Sequence, residues 1–183
     1  MSMEQGKQIL MQEEELQRTI SRMAHEIVEK NGGSENLALI GIRSRGAHLA
    51  RRIARKIESL NGTAPPVGII DIKPYRDDIE RGEKLAEPSP MEVPVSVEEK
   101  TVVLVDDVIY RGRTIRAALE LIGYLGKPKR VLVAILVDRG DRELPIRADI
   151  VGKNVQVADS ERVNVLLQES DGVDQVTITQ IKR

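Results

Sequence analysis

Thr101-Val-Val-Leu-Val-Asp-Asp-Val-Ile-Tyr-Arg-Gly-Arg-Thr114 decides the fold. An apolar run meets two adjacent carboxylates, Asp106 and Asp107, then passes through a short turn containing Gly112. The stretch that follows, Thr114-Ile-Arg-Ala-Ala-Leu-Glu-Leu-Ile122, has the character of a helix. The order is strand, loop, helix, with the acids at the carboxyl end of a buried strand, where open α/β sheets bind their ligands. A helix N-terminus offers free N–H groups and a favourable dipole to an anion. Ionised carboxylates only accept hydrogen bonds, so Asp106 and Asp107 suit vicinal ribose hydroxyls. Gly112 permits positive φ and a close approach of backbone to ligand, and Thr114 adds a hydroxyl donor. The segment implies a phosphorylated sugar. The competing reading is an acidic surface turn whose Asp caps a helix, which accounts less well for two acids, a glycine and a threonine packed behind an apolar strand.

The flanking sequence alternates in the same way. Leu16, Ile20, Met23, Ala24 and Ile27 have helical spacing within residues 10–30, and Asn31-Gly-Gly33 ends that helix. Leu37–Ile42 reads as a short buried strand, Gly46–Leu60 as a helix with Leu49, Ile53, Ile57 and Leu60 on one face, and Val67–Ile72 as a strand. Thr101–Val105 and Arg130–Val137 are the remaining central strands, separated by a helix near 114–125. Val163–Leu167 and Val176–Ile178 flank Asp171-Gly172 and suggest a terminal hairpin. Residues 74–94 differ in character: Pro74, Pro88, Pro90 and Pro94 stand among charges and Gly82, with few residues fit for a core. They read as a lid or mobile loop, with an edge hairpin as the other possibility. The alternation predicts one α/β domain over 1–183, with a mainly parallel sheet and helices on both faces.

Composition narrows the function classes. The chain has 183 residues, 40 % of them hydrophobic, and a net charge of −1, so bulk charge does not announce a nucleic-acid binder and any RNA site must be a local patch. With no Phe or Trp and three Tyr, base stacking on aromatic platforms cannot dominate. Without Cys, disulfides, thiolate catalysis and Cys-metal sites are excluded. No signal peptide and no apolar run near 18 residues is evident, so no membrane partner and a cytoplasmic location are expected.

The Thr101–Thr114 segment resembles the PRPP-binding motif of type I phosphoribosyltransferases. The likeness continues through Arg22-Met-Ala-His-Glu-Ile27, Gly41-Ile-Arg-Ser-Arg-Gly46, Tyr75-Arg-Asp-Asp78 and Val137-Asp-Arg-Gly-Asp-Arg-Glu-Leu-Pro-Ile-Arg-Ala-Asp-Ile-Val-Gly-Lys-Asn154. Over nearly the whole chain it is similar to one branch, the PyrR family of pyrimidine operon attenuators with uracil phosphoribosyltransferase activity. The resemblance implies a type I fold with a flexible loop at 74–94 and a small hood at 138–160. It implies Asp106, Asp107 and Arg76 as catalytic residues. It implies PRPP and UMP contacts from Arg43, Ser44, Arg45, Tyr110, Arg111, Gly112, Arg113, Thr114, Asp138 and Arg139. The 41–46 loop would then hold pyrophosphate, although alone it could be an ordinary basic turn.

The resemblance also implies Mg²⁺ bound through PRPP, with uracil as co-substrate and UMP or UTP as effectors. It implies a pyr leader mRNA met by Ser21, Arg22, His25, Arg142, Arg147 and Lys153, and a homodimer or homotetramer. His48 is given no role. Departures from the family pattern are Arg111 for Thr, Asp141 for His, Lys73-Pro74 for Thr-Leu, and Gln156-Val-Ala158 followed by Asp159 for Pro-Thr-Ser and a basic residue. The added acids weigh on RNA binding more than on PRPP binding. Two other readings remain: a phosphoribosyltransferase that has lost RNA binding, and a purine-specific enzyme of the same fold.

Overall fold

The computed structural model describes residues 6–72, 91–92 and 94–182. In chain order the elements are β1 (Lys7–Met11), α1 (Glu13–Asn31), β2 (Leu37–Ile42), α2 (Arg45–Asn61), β3 (Val67–Ile70), β4 (Thr101–Ile109), α3 (Arg113–Leu125), β5 (Arg130–Asp138), β6 (Ile150–Asn154), β7 (Glu161–Leu166), α4 (Gln168–Asp171) and β8 (Gln175–Gln180).

Five strands form a parallel sheet in the order β3-β2-β4-β5-β6. A parallel sheet has both faces covered, so its strands read as apolar runs rather than alternations; all of β2 is buried. Alternate residues serve the two faces. Leu37, Leu39, Val103, Val105 and Leu132 pack with α1 and α2, while Ile40, Val102, Leu104, Val133 and Ile135 pack with α3. The expected helices on both faces are present. Two glycines set how α2 meets the sheet. A Cβ on Gly41 would come within 2.5 Å of Ala47 Cα, and one on Gly46 within 2.5 Å of Val105 O. The first turn of α2 is therefore sunk onto β2 and β4, beside Asp106.

A second, antiparallel sheet has the order β1-β8-β7. Its β7 and β8 are the expected terminal hairpin, with the single turn of α4 between them. The region 138–160, read as a hood, does not contain this sheet. It contributes β6, so Arg130–Val137 is not the last strand of the main sheet. Only Ile150 of β6 is fully buried, and Gly152 and Lys153 follow it, which leaves the sequence with little strand character. Strand β4 also runs past Val105 to Ile109, because its ladder with β5 continues through Asp106↔Ile135 to Ile109↔Asp138. Of 74–94, Met91, Glu92 and Pro94 are described, and Met91 is buried. Tyr75-Arg-Asp-Asp78, with Arg76, and Lys73-Pro74 lie outside the described residues. Among the described residues no helix is long and apolar enough to cross a membrane.

Candidate active site

The carboxyl ends of β2, β3 and β4 surround a cleft of about 350 Å³ lined by Arg43, Ser44, Arg45, Asp71, Asp106, Asp107 and Thr114, among others. A hollow of about 330 Å³ adjoins it at Thr114 and is formed by residues 108–115. A third, of about 400 Å³, adjoins through Arg45 and Asp107 and reaches Arg162–Leu166 of β7. The segments that sequence singled out for a sugar phosphate and for a second anion therefore share one sheet edge.

Asp106 is buried on β4. Its Oδ1 accepts the Asp107 N–H at 2.9 Å, and Asp107 Oδ1 accepts the Val108 N–H at 2.7 Å. Burial first, and the adjacent Asp107 charge second, push the Asp106 carboxyl well above the usual carboxylate range. Two adjacent acids, one of them harder to ionise than a free carboxylate, present acceptor oxygens to hydroxyls.

Two helix N-termini open onto these acids. Neither α2 nor α3 has an acid in its first turn or a side-chain cap on its N–H groups. By contrast α1, away from the cleft, carries Glu13, Glu14 and Glu15 in its first turn. Uncapped N-termini leave several N–H groups for an anion. Gly112 takes φ 93 before α3, where a side chain would be strained. The loop arginines are balanced locally: Arg111 and Arg113 both pair with Glu143, at 3.2 and 2.7 Å.

Behind the loop lies a clamp. Arg142 Nη2 donates to Asp138 Oδ2 at 2.6 Å, Nη1 to the Tyr110 and Gly140 carbonyls at 2.9 and 3.2 Å, and Nε to the Ile146 carbonyl at 2.9 Å. Burial raises the Asp138 carboxyl, but the Arg142 guanidinium and the Gly140 N–H outweigh it and leave the group below its usual value. Arg139 is buried with its guanidinium 3.8 Å from the Tyr110 ring centroid, and the Tyr110 hydroxyl donates to Asp159 Oδ1 at 3.1 Å. Asp159, a departure from the family pattern in sequence, is thus a partner of Tyr110 in the loop between β4 and α3.

The residues expected to meet RNA are not gathered as one free basic patch. Arg142 is turned inward, its guanidinium engaged in the clamp. Ser21, Arg22 and His25 lie on α1, next to β6: Arg22 pairs with Glu26 and donates to the Val151 and Gly152 carbonyls. Lys153 of β6 pairs with Glu15 and donates to the Leu10 carbonyl. His25 and Arg147 are exposed.

Three polar lining residues, Asp71, Arg162 and Asn164, escaped sequence reasoning. Asp71 had a signal, since it follows an apolar strand as Asp106 does. Arg162 and Asn164 had none, because nothing local says that β7 folds back over the cleft.

The chain matches the family model for the phosphoribosyl transferase domain over residues 7–167. It is 54 % identical over 176 residues to the bifunctional protein PyrR of Chloroflexus aurantiacus, covering 94 % of each chain. It is 52 % identical over 169 residues to the bifunctional protein PyrR of Clostridioides difficile, covering 92 % of this chain and 96 % of that one. Among solved structures it is similar to a Trypanosoma cruzi hypoxanthine phosphoribosyltransferase, with TM-score 0.75, 18 % identity and 97 % of each chain covered. A hypoxanthine phosphoribosyltransferase from Staphylococcus aureus gives TM-score 0.71 at 20 % identity, covering 97 % of this chain and 92 % of that one. At such identities these two structures speak for the fold alone.

Proposed function

The chain belongs to the phosphoribosyltransferase family, in its bifunctional PyrR branch, and from that premise we propose a cytoplasmic enzyme that converts uracil and PRPP to UMP and pyrophosphate and also regulates a pyr operon by binding its leader mRNA. The observation that carries the catalytic half is the pair of uncapped helix N-termini, of α2 and α3, flanking Asp106 and Asp107 at one sheet edge. A ribose with an anion at each end fits that layout.

In this reading the uracil ring nitrogen bonds to C1 of the ribose. The C1–O electron pair leaves with pyrophosphate, and the ring nitrogen loses its proton. The transition state is oxocarbenium-like, so the protein acts by positioning and by stabilising charge. Asp106 and Asp107 hold the ribose hydroxyls. Residues 110–114 hold the 5′-phosphate through N–H groups and the Thr114 hydroxyl. Arg43, Ser44 and Arg45 receive pyrophosphate, joined by Arg76 from the segment outside the described residues. Backbone groups of Asp138 and Arg139 read the uracil edge, kept in register with the phosphate loop by the Arg142 clamp.

Among the described residues no three His, Cys, Asp or Glu gather as a metal cage. The cleft is nonetheless lined by the hard oxygen donors Asp71, Asp106 and Asp107, which suit a Mg²⁺ ion carried in by PRPP oxygens. That ion would neutralise the charge on the departing pyrophosphate.

RNA binding uses Ser21, Arg22, His25, Arg147 and Lys153, in a homodimer or homotetramer, and is promoted by UMP or UTP in the same pocket. The clamp gives this coupling a route, because Arg142 ties the Tyr110 carbonyl of the phosphate loop to the Asp138–Ile146 segment that precedes Arg147.

The deciding experiment measures UMP formation from uracil, PRPP and Mg²⁺ by the wild type and by the Asp106→Asn/Asp107→Asn double variant. Turnover abolished in the folded variant is expected; a wild type that makes no UMP overturns the catalytic reading. Competition by hypoxanthine distinguishes a purine enzyme. Filter binding of pyr leader RNA with and without UMP tests the regulatory half, and affinity unaffected by UMP would overturn it.

A further inference from the structure

Arg45 opens α2 and lines both the acid cleft and the hollow under β7. Its guanidinium is already gripped along one edge. Nε donates to the Val165 carbonyl at 2.6 Å, and Nη2 donates to both carboxylate oxygens of Asp171, at 2.9 and 3.2 Å. Asp171 is itself fixed, since its Oδ2 accepts the Leu167 N–H at 2.9 Å. The two side chains are only 34 % and 21 % exposed. A guanidinium carries five N–H donors in a planar fork. The Nε and Nη2 edge is occupied here, and Nη1 makes no hydrogen bond among the described residues.

We propose that Asp171 is a positioning residue for the transferase reaction: it holds Arg45 from the back so that the Nη1 edge is presented to the pyrophosphate of PRPP. The inference rests on the assignment of Arg45 to pyrophosphate made above. A free arginine would spend side-chain entropy on meeting its ligand, and an arginine held in one rotamer has already lost it.

A neighbouring tie shows what a purely structural bond at this joint looks like. Two turns along α2, Arg52 donates to Glu169 through Nε and Nη2, at 2.8 and 2.6 Å, and to Asp174 through Nη1 and Nη2, at 2.8 and 2.7 Å. Between the two ties, His48 Nε2 and Ser170 Oγ lie 2.9 Å apart. All three nitrogens of Arg52 are used. The Arg52 tie fastens α2 to the α4 turn independently of Asp171, and the distinctive feature of the Asp171 bond is the donor edge it leaves over.

The test compares Asp171→Asn, Asp171→Glu and the control Glu169→Gln in the full chain. It reads KM for PRPP, the inhibition constant of pyrophosphate, kcat, Tm, and calorimetric binding of Mg²⁺-pyrophosphate, which needs no turnover. Asparagine keeps one oxygen for the Leu167 N–H and loses the charge together with the second acceptor oxygen that faces Arg45. Asp171→Asn is expected to weaken PRPP and pyrophosphate together by about tenfold with kcat within about twofold, and Asp171→Glu to recover part of the loss. Glu169→Gln is expected to lower Tm and leave both constants alone. Unchanged constants in Asp171→Asn, or loss of Tm without loss of affinity, overturn the positioning role. Tighter pyrophosphate binding also overturns it, because it would make Asp171 a competitor of the ligand. A wild type that neither turns over nor binds pyrophosphate overturns the assignment of Arg45 itself, whereas wild-type activity with an indifferent variant removes only Asp171.

Discussion

Asp106–Asp107 and Glu169–Asp174 are two pairs of acids next to the same helix, α2, and they are in opposite electrostatic states. The second pair closes on Arg52, whose hydrogen bonds bring Glu169 down to about 2 and leave Asp174 below its usual value, while Arg52 is itself raised. The first pair has no ion pair among the described residues, and burial with mutual repulsion raises Asp106. One pair has its counter-charge built into the fold and fastens α2 to the small sheet. The other has no counter-charge among the described residues and faces a cleft between two uncapped helix ends. Carboxylates without a counter-charge among the described residues, clustered in a cleft at an open sheet edge, are the pattern of a functional site rather than of a structural tie.

The sharpest way to break this comparison is to neutralise each pair in turn. Asp107→Asn is expected to lower kcat/KM for PRPP by about a thousandfold with Tm unchanged, in the range found when one preorganised electrostatic partner is removed. A loss below tenfold, measured under saturating uracil, would make the cleft pair as structural as the other. Arg52→Met should do the reverse. It strands Glu169 and Asp174 against each other in a half-buried joint and is expected to cost about 3 kcal/mol, read as a Tm lowered by roughly 6–12 °C, with KM for PRPP within twofold. A stable Arg52→Met protein with impaired turnover would place the joint inside the catalytic machinery.

Sequence made the cleft pair legible and the joint invisible, for a physical reason. Asp106 and Asp107 are interpretable locally, because the strand, the acids, Gly112 and the uncapped start of α3 are contiguous and each constrains the next. The same holds for α1, α2 and α3, whose apolar periods match the faces they bury except at Leu60, which was read onto the apolar face of α2 but is exposed in its last turn, where the helix runs past the sheet. The bonds of Arg45 and Arg52 reach partners 117 to 126 residues away, and no local pattern carries such a pairing. Strands β1 and β6 were missed for a related reason: β1 is held by pairing with β8, near the other end of the chain, and β6 carries one fully buried residue. Arg142 looked like a surface cation because its motif is rich in charge. Its side chain turns inward because the Tyr110, Gly140 and Ile146 carbonyls and Asp138 converge there, which only the tertiary fold reveals.

The two acid pairs should also separate along the pH axis. Glu169, depressed to about 2 from 4.5, contributes stability that is fully present above pH 4.5 and is lost as pH falls from there toward about 2. The effect is damped because Glu169 is partly solvated. Asp106, raised in the folded state, acts in the opposite sense: its penalty is present above its folded pKa and is relieved as pH falls through it. Urea unfolding from pH 6 down to 2 is therefore expected to give a flatter acid limb in Glu169→Gln. Asp106→Asn is expected to be more stable than wild type near pH 7, with the advantage shrinking as the solution is acidified. An Asp106→Asn protein less stable than wild type at neutral pH would show that the ionised carboxylate has a partner in the fold.

The smallest effect concerns the arginines of the 142–147 segment, where the same division between internal and external partners recurs. Arg147 is exposed, and on the proposed RNA surface it would meet one phosphate. Arg147→Ala is expected to weaken leader RNA binding about three- to tenfold and to reduce the slope of log affinity against log salt by about 1, with UMP formation unchanged. Arg142 has its acceptors inside the fold. Arg142→Ala leaves Asp138 Oδ2 and the Tyr110 carbonyl without their donor, so it should lower Tm and raise KM for PRPP, and affect RNA only through the loosened clamp, with the salt slope preserved. The slope separates the two cases cleanly, because a lost phosphate contact changes it and a lost scaffold does not. If Arg142→Ala lowered the slope by the same unit while sparing KM, the guanidinium would have to leave Asp138 for RNA in the complex, and the clamp would be a resting position rather than a fixture.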